Sequence, residues 1–267
     1  MLILRVITAV ILIPLVLVGV TCLSQLQFIG ILSFLTLVAA WEWSRLSGWI
    51  ELKKRVLFTV IQATFLLILH GFPIHASLHG SIQKGLLLIG LVVWFLLLLY
   101  LLWARKKLVL PVLSSPVRLT LGWLILTVCW NALQQLEMLD SYLILFLFLI
   151  VWLTDVGAYV GGRLYGKHLL APTLSPKKTW EGLIVGSLTA FLVMLLALYF
   201  FRTAGTLDSP IVFVLLGCTI LSAVVGDLFE SQLKRLEGVK DSGCLLPGHG
   251  GMLYRVDSLL AAAPVYA

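Results

Sequence analysis

The sequence predicts an all-α, polytopic integral membrane protein with about eight full transmembrane helices, the start of a ninth, and a cytoplasmic N-terminus. Its composition supports this class, because 61% of the 267 residues are hydrophobic and only 12% are charged, whereas a soluble domain carries about 25% charged residues. The apolar residues also recur in long runs along the whole chain. Such repetition is typical of membrane-spanning helices and not of a single removable leader.

Each predicted span is an apolar run long enough to cross the hydrocarbon core of a bilayer. The spans cover residues 6–23, 28–44, 56–72, 85–104, 117–134, 141–160, 181–201 and 211–229. A ninth helix is predicted to begin near Ser258, and the sequence ends at Ala267. Ten helical residues rise about 15 Å, roughly half of the hydrocarbon thickness, so we expect this last helix to be clipped or truncated.

Positive charge predicts which side of the membrane each loop faces. With a cytoplasmic N-terminus, the spans place 17 of the 19 lysines and arginines on the cytoplasmic side and leave only Lys84 and Arg202 on the other. This asymmetry follows the positive-inside rule. It also accounts for the net charge of +7, so no nucleic-acid partner is expected.

The loops differ in length and composition. Those at 161–180 and 230–257 are long, predicted to be cytoplasmic, and rich in Gly, Pro, Ser, Lys and His. We therefore expect N-terminal transmembrane helices over 1–135 and a C-terminal transmembrane region over 136–267 that carries both loops and the chemistry.

Residues 231–257 are the most polar stretch of the chain. They combine cations, carboxylates and a glycine-flanked histidine, namely Lys234, Arg235, Lys240, Arg255, Glu237, Asp241, Asp257 and His249. Polar groups at a membrane surface are costly to keep, which makes this segment a candidate functional site.

Two carboxylates lie near the cytoplasmic ends of predicted spans, Asp155 in the sixth and Asp227 in the eighth. A charged Asp at mid-bilayer costs roughly 2.5–3.5 kcal/mol on insertion scales and less near the interface. They could be interfacial residues that reach water, but their matching depth beside the polar loops favours a functional role.

Helical spacing places Asp227 on one face with Glu230, Ser231 and Lys234, at i, i+3, i+4 and i+7. Carboxylates beside cations suit a magnesium ion that carries a polyphosphate. An ordinary Glu230–Lys234 surface pair is the competing interpretation, and it leaves Asp227 unexplained.

The loop before the seventh span predicts a helix start. Ser175 followed by Pro176 fits an N-cap and a first-turn proline, so Lys177, Lys178 and Thr179 would lie in the first turn, where free N–H groups favour an anion. A positive-inside flank explains the lysines about equally well. Glu42, between Trp41 and Trp43, is interpreted as an interfacial acid within an aromatic belt.

The run from Ser231 through Lys234-Arg235, Lys240-Asp241, Leu246-Pro247-Gly248-His249-Gly250-Gly251 and Arg255-Val256-Asp257 resembles the signature of phosphatidate cytidylyltransferases (CDP-diacylglycerol synthases). Four further blocks resemble that family in the same order: Asp155 to Tyr159, Gly166-Lys167-His168, Ser175 to Gly182, and Gly226 to Ser231. The likeness extends from Trp41 to the end of the sequence, and a signature of this length is highly specific.

The resemblance implies a magnesium-dependent enzyme that converts CTP and phosphatidic acid to CDP-diacylglycerol and pyrophosphate. The predicted metal ligands are Asp227, Asp257 and Asp155, and the predicted catalytic residues are Asp227, Lys234, Asp241 and Asp257. The residues expected to bind substrate are Ser175, Lys178, Thr179, Lys234, Arg235, Lys240, His249 and Arg255. The expected location is a bacterial inner membrane with the active site facing the cytoplasm, among membrane lipid, and a homodimer is a further expectation.

One position departs from the family pattern. Tyr254 stands where the family has an aspartate, and a neutral phenol is a poor magnesium ligand. A catalytically impaired or silent relative that binds nucleotide or lipid is therefore an alternative hypothesis. A membrane transporter that uses Asp155 and Asp227 as ion sites is a second alternative.

Overall fold

A computed structural model describes residues 14–71, 76–105, 113–201, 210–239, 241–243 and 251–267. The described part of helix α1 covers residues 14–21. The elements that follow are α2 (Gln25–Leu46), α3 (Leu52–Gly71), α4 (Ala76–Ala104), α5 (Ser115–Leu139), α6 (Ser141–Tyr165), β1 (Leu169–Ala171), β2 (Ser175–Thr179), α7 (Trp180–Phe201), α8 (Pro210–Leu236) and α9 (Leu253–Tyr266).

Six helices in the described residues are long and apolar enough to cross a membrane. They are Gln25–Leu46, Gly80–Ala104, Ser115–Leu139, Ser141–Tyr165, Trp180–Ala197 and Pro210–Leu236. The predicted class, a helical polytopic membrane protein, is confirmed. The predicted span at 56–72 corresponds to α3, a helix outside those six. Of the predicted span at 6–23, residues 6–13 lie outside the described residues and residues 14–21 form the described part of α1.

The first of two compact units comprises Met1–Gly90, Val112–Leu145 and Leu233–Val256. In this unit α2 and α5 approach closely at Gly122, where an added Cβ would lie 2.0 Å from the indole nitrogen of Trp43. That nitrogen donates a hydrogen bond to the carbonyl oxygen of Arg118 at 2.8 Å.

Polar side chains on α5 join it to neighbouring helices of the same unit. Gln62 Nε2 of α3 donates to Thr127 Oγ1 at 3.0 Å, and Trp130 Nε1 donates to Ser33 Oγ of α2 at 3.0 Å. Hydrogen bonds between membrane helices satisfy groups that lipid cannot, so these pairs favour one arrangement of the helices.

The second compact unit comprises Leu91–Pro111, Phe146–Gln232 and Asp257–Ala267. Its apolar core draws on α6, α7 and α8 through Ile150, Ala190, Met194, Leu216 and Ile220. The predicted division of the chain into N-terminal helices over 1–135 and a catalytic region over 136–267 is a separate, functional one, and it stays a prediction.

Glycines bring α6 and α7 into backbone contact in the second unit. A Cβ added at Gly186 would lie 2.4 Å from the carbonyl oxygen of Thr154 and 2.8 Å from the nitrogen of Ala158. A Cβ added at Gly157 would lie 2.8 Å from the Cα of Gly186. Close contacts of this kind are typical of membrane helices that associate through small residues.

The loop before α7 folds as a short hairpin, in which β1 and β2 pair antiparallel. The predicted helix start at Ser175 is therefore wrong, because residues 175–179 form a strand and the helix begins at Trp180. Both strands of a two-stranded sheet are edge strands, so Pro176 is tolerated. The cap of α7 is Thr179, whose Oγ1 accepts the Gly182 N–H at 3.1 Å.

Replacing Gly186 by alanine tests the α6–α7 contact. Gly186→Ala places a methyl group against the α6 backbone, and overpacking of this kind costs about 1–3 kcal/mol. We expect a lower midpoint of thermal unfolding for the detergent-solubilised protein.

Gly217→Ala is the matched control, because it adds the same methyl group to α8 in the same unit with nothing within 4 Å. Alanine raises helix propensity by about 0.8–1 kcal/mol over glycine, so the control should be neutral or stabilising. Equal midpoints for the two variants would contradict the close contact.

Candidate active site

Asp227 and Lys178 form an ion pair in the second unit. Lys178 Nζ contacts Asp227 Oδ2, and the two side chains are 26% and 23% exposed. Ser231 Oγ, one turn further along α8, donates to Asp227 Oδ1 at 3.4 Å. Lys178 was predicted to lie in the first turn of a helix, but it lies in β2. From there its ammonium contacts the Asp227 carboxylate.

Asp257 approaches Asp227 because α8 and α9 touch at a glycine. A Cβ added at Gly226 would lie 2.3 Å from the carbonyl oxygen of Asp257 and 3.2 Å from the Cβ of Ala261. The Asp257 side chain is 6% exposed, and its Oδ1 accepts the Ser258 N–H at 2.7 Å. Two predicted metal ligands thus lie on neighbouring helices of one unit.

The electrostatic environment of Asp257 is negative. Burial, followed by the charges of Asp227, Glu230 and Asp155, raises the pKa of the Asp257 carboxyl well above its usual value. A raised carboxyl pKa means that the surroundings disfavour its charged form, and a nearby cation would reverse that preference. We name Asp155, Asp227, Glu230 and Asp257 the carboxylate cluster.

The carboxylate cluster suits a hard cation that takes few ligands from the protein. Within the part of the chain that the structure describes, no three His, Cys, Asp or Glu residues are grouped closely enough to hold a metal by themselves. Magnesium is usually bound through one or two carboxylates, with water and substrate phosphates completing its octahedron. The oxygen donors of Asp227 and Asp257 fit that requirement.

Glu181, to which the sequence analysis assigned no role, fixes the hairpin to the start of α7. One of its carboxylate oxygens accepts the N–H groups of Lys167 and His168 at 3.1 and 3.2 Å. The other lies 2.6 Å from His168 Nδ1. These bonds position the hairpin that carries Lys178. In the sequence, Gly166-Lys167-His168 followed by Trp180-Glu181-Gly182 was the pattern that could have indicated this contact.

Predicted substrate-binding cations meet at Tyr254 in the first unit. The Lys234 ammonium lies 4.5 Å from the centroid of the Tyr254 ring, and the Arg255 guanidinium lies 5.7 Å from it. Lys234 is 7% exposed, whereas Tyr254 and Arg255 are exposed. The tyrosine thus provides a cation–π face for two cations.

The remaining predicted residues are less closely defined. Arg235 and Asp241 are exposed, and Ser175 is half-buried. Lys240 and His249 lie outside the described residues. The proposed ligand or substrate roles of these five residues stay predictions.

Arg118 and Glu42 were not predicted as site residues, yet in the first unit both contact residues of 231–257, which we name the polar segment. Arg118 pairs with Glu237, one residue beyond α8, and its Nη1 also donates to the Leu46 carbonyl oxygen at 2.9 Å. Glu42 is 3% exposed, so its carboxylate is buried within the protein, and its interpretation as an interfacial acid stays a prediction. Its bonds to Ser242, Met252 and Leu253 explain its burial.

Comparisons with known proteins agree with the resemblance seen in the sequence. The family model described as "Cytidylyltransferase family" matches residues 3–267. A protein from Pseudomonas aeruginosa named "Phosphatidate cytidylyltransferase" is 38% identical over 274 residues, covering 98% of this chain and 94% of the relative.

Two further relatives carry the same name. The Haemophilus influenzae protein is 34% identical over 279 residues, covering 98% of this chain and 96% of its own length. The Staphylococcus aureus (strain COL) protein is 49% identical over 125 residues, which is 46% of each chain. The matches to the Pseudomonas aeruginosa and Haemophilus influenzae proteins extend over nearly the whole sequence. The predicted family is confirmed. The chain therefore belongs to the cytidylyltransferase family.

Proposed function

We propose that this protein transfers a cytidylyl group from CTP to phosphatidate, giving CDP-diacylglycerol and pyrophosphate. The carboxylate cluster, with Lys178 paired to Asp227, is the observation that carries the proposal. Relatives named phosphatidate cytidylyltransferase support it. They give no support to a silent relative or to a transporter.

The reaction exchanges one phosphoanhydride bond for another. A phosphate oxygen of phosphatidate bonds to the α-phosphorus of CTP, and the bond from that phosphorus to the bridging oxygen of the β-phosphate breaks. Pyrophosphate leaves with the electron pair. Reactions of this type depend on positioning and on neutralising charge on the phosphoryl oxygens.

Asp227 and Asp257 are proposed to hold Mg²⁺, with Asp155 as a further carboxylate close to them. The ion, when bound, would neutralise phosphate charge. Lys178 would then exchange its carboxylate partner for a phosphate oxygen, since an ammonium binds either as a point charge.

The cations of the first unit are proposed to bind substrate phosphates. The ring of Tyr254 holds Lys234 and Arg255 close together, and Arg235 lies next to Lys234 in α8. In this chain Tyr254 therefore orients cations where the family has a carboxylate. Proposed roles for Ser175, Thr179, Lys240, Asp241 and His249 rest on the sequence resemblance.

The finer topology is also part of the proposal. Eight spans and the start of a ninth, with a cytoplasmic N-terminus, account for the 17-to-2 distribution of Lys and Arg. This orientation in a bacterial inner membrane places loops 161–180 and 230–257 in the cytoplasm, where CTP is available. A homodimer and the absence of a nucleic-acid partner stay predictions.

Asp227→Asn tests the carboxylate cluster. The variant keeps the size of the side chain but removes the charge that would bind the ion, so we expect kcat/KM for CTP to fall about 100-fold or more. Pyrophosphate release from CTP and phosphatidate, titrated with Mg²⁺, measures the effect. Glu51→Gln is the control, because it neutralises an exposed acid paired only locally with Lys54. Unchanged Mg²⁺-dependent turnover in Asp227→Asn would exclude this role.

Tyr254→Phe and Tyr254→Asp test the role of the ring. Phe keeps the cation–π face and should retain kcat within about twofold, because the phenol oxygen is not a ligand. Asp restores the family carboxylate and should change kcat by less than about tenfold if the natural protein is active. A rise of 100-fold or more in Tyr254→Asp would instead establish the impaired-relative alternative.

Single introduced cysteines test the proposed orientation in a background without the four natural ones. An impermeant thiol reagent should label Asp140→Cys in intact cells and label Glu51→Cys only after permeabilisation, since the positive-inside distribution puts them on opposite sides. The opposite pattern would reverse the proposed topology.

A further inference from the structure

Glu42 binds three residues that lie 200 to 211 positions away in the sequence, Ser242, Met252 and Leu253. Its Oε2 accepts hydrogen bonds from Ser242 Oγ at 3.1 Å and from the Leu253 N–H at 2.8 Å. Its Oε1 accepts the Met252 N–H at 2.9 Å. All four residues belong to the first unit.

The burial of Glu42 makes these bonds strong and their loss costly. The residue is 3% exposed and Ser242 is fully buried, so water does not replace a missing partner. A carboxylate that accepts backbone N–H groups forms charge-assisted hydrogen bonds, which are shorter and stronger than neutral ones. Leu253 is also the first residue of α9, where a carboxylate is favoured by the helix dipole.

Two glycines of the polar segment make room for this carboxylate. A Cβ added at Gly243 would lie 2.3 Å from Glu42 Oε1. A Cβ added at Gly251 would lie 2.3 Å from Glu42 Oε2 and 2.3 Å from Ser242 Oγ. The absence of a side chain at Gly243 and at Gly251 thus leaves space for the Glu42 carboxylate.

We propose that Glu42 is a positioning residue, which holds Ser242, Met252 and Leu253 and thereby sets Tyr254 and Arg255 at the start of α9. Tyr254 in turn contacts Lys234 through its ring. The inference rests on the proposed function, in which these cations bind substrate phosphates. Glu42 itself touches no substrate in this proposal.

The first measurement is hydrogen–deuterium exchange of the full-length protein, which requires no turnover. In Glu42→Ala, the amides of Met252 and Leu253 should exchange at least about tenfold faster, because their acceptor is gone. Glu42→Gln keeps one acceptor oxygen and should show a smaller increase. Gly251→Ala should reproduce the effect, because its methyl group displaces the carboxylate.

Matched controls separate a local from a global effect. Glu51→Ala removes an exposed carboxylate, and Gly30→Ala adds a methyl group with nothing within 4 Å in the same unit. Neither should change exchange at Met252 or Leu253. Unchanged exchange there in Glu42→Ala, or an equal increase in every helix, would overturn the anchoring.

The second measurement is KM for CTP, together with the equilibrium affinity for CTP. Loss of folded protein lowers the apparent kcat and leaves KM unchanged, whereas misplaced cations raise KM, by about tenfold in Glu42→Ala. Partial rescue by Glu42→Gln is expected. Faster local exchange with unchanged KM and affinity would overturn the positioning role and leave a structural one. If the natural protein neither turns over nor binds CTP, the proposed function fails, and exchange alone decides the anchoring.

Discussion

An apolar chain can bury a carboxylate only where another group bonds it or offsets its charge, and this constraint organises the polar parts of the protein. Asp227 is paired with Lys178, and Glu42 accepts three hydrogen bonds. Asp257 accepts the Ser258 N–H, while its burial and the charges of Asp227, Glu230 and Asp155 disfavour its charged form. The hairpin, the polar segment and the α8–α9 contact are each arranged around one of these acids.

Local patterns in the sequence were sufficient for the membrane class and for the position of the acids. Six of the eight predicted spans coincide with described helices that are long and apolar enough to cross a membrane, because hydropathy is a property of the run itself. The spacing of Asp227, Glu230 and Ser231 likewise needed only the helical repeat. Family membership followed from the length and order of the blocks that resemble the family, from Asp155 to Asp257.

Features that depend on distant partners could not be predicted in the same way. Ser175 and Pro176 fit a helix start as well as an edge strand, and only the pairing with Leu169–Ala171 decides between them. The interfacial interpretation of Glu42 used its aromatic neighbours, whereas its donors lie at Ser242, Met252 and Leu253. Lys178 was assigned to phosphate from the predicted helix start and the family resemblance, since nothing near it in the sequence indicates Asp227 as its partner.

The bond between Leu253 and Glu42 joins residues 211 positions apart, which has a consequence for biosynthesis. At roughly 5–20 residues per second, Glu42 is made about 10–40 s before the N–H groups that bind it. During that time α2 has to carry an acid whose final donors do not yet exist. The hydrogen bonds from Met252 and Leu253 to Glu42 therefore form late in the maturation of the chain, and a ribosome that stalls before Met252 leaves the acid without these two donors.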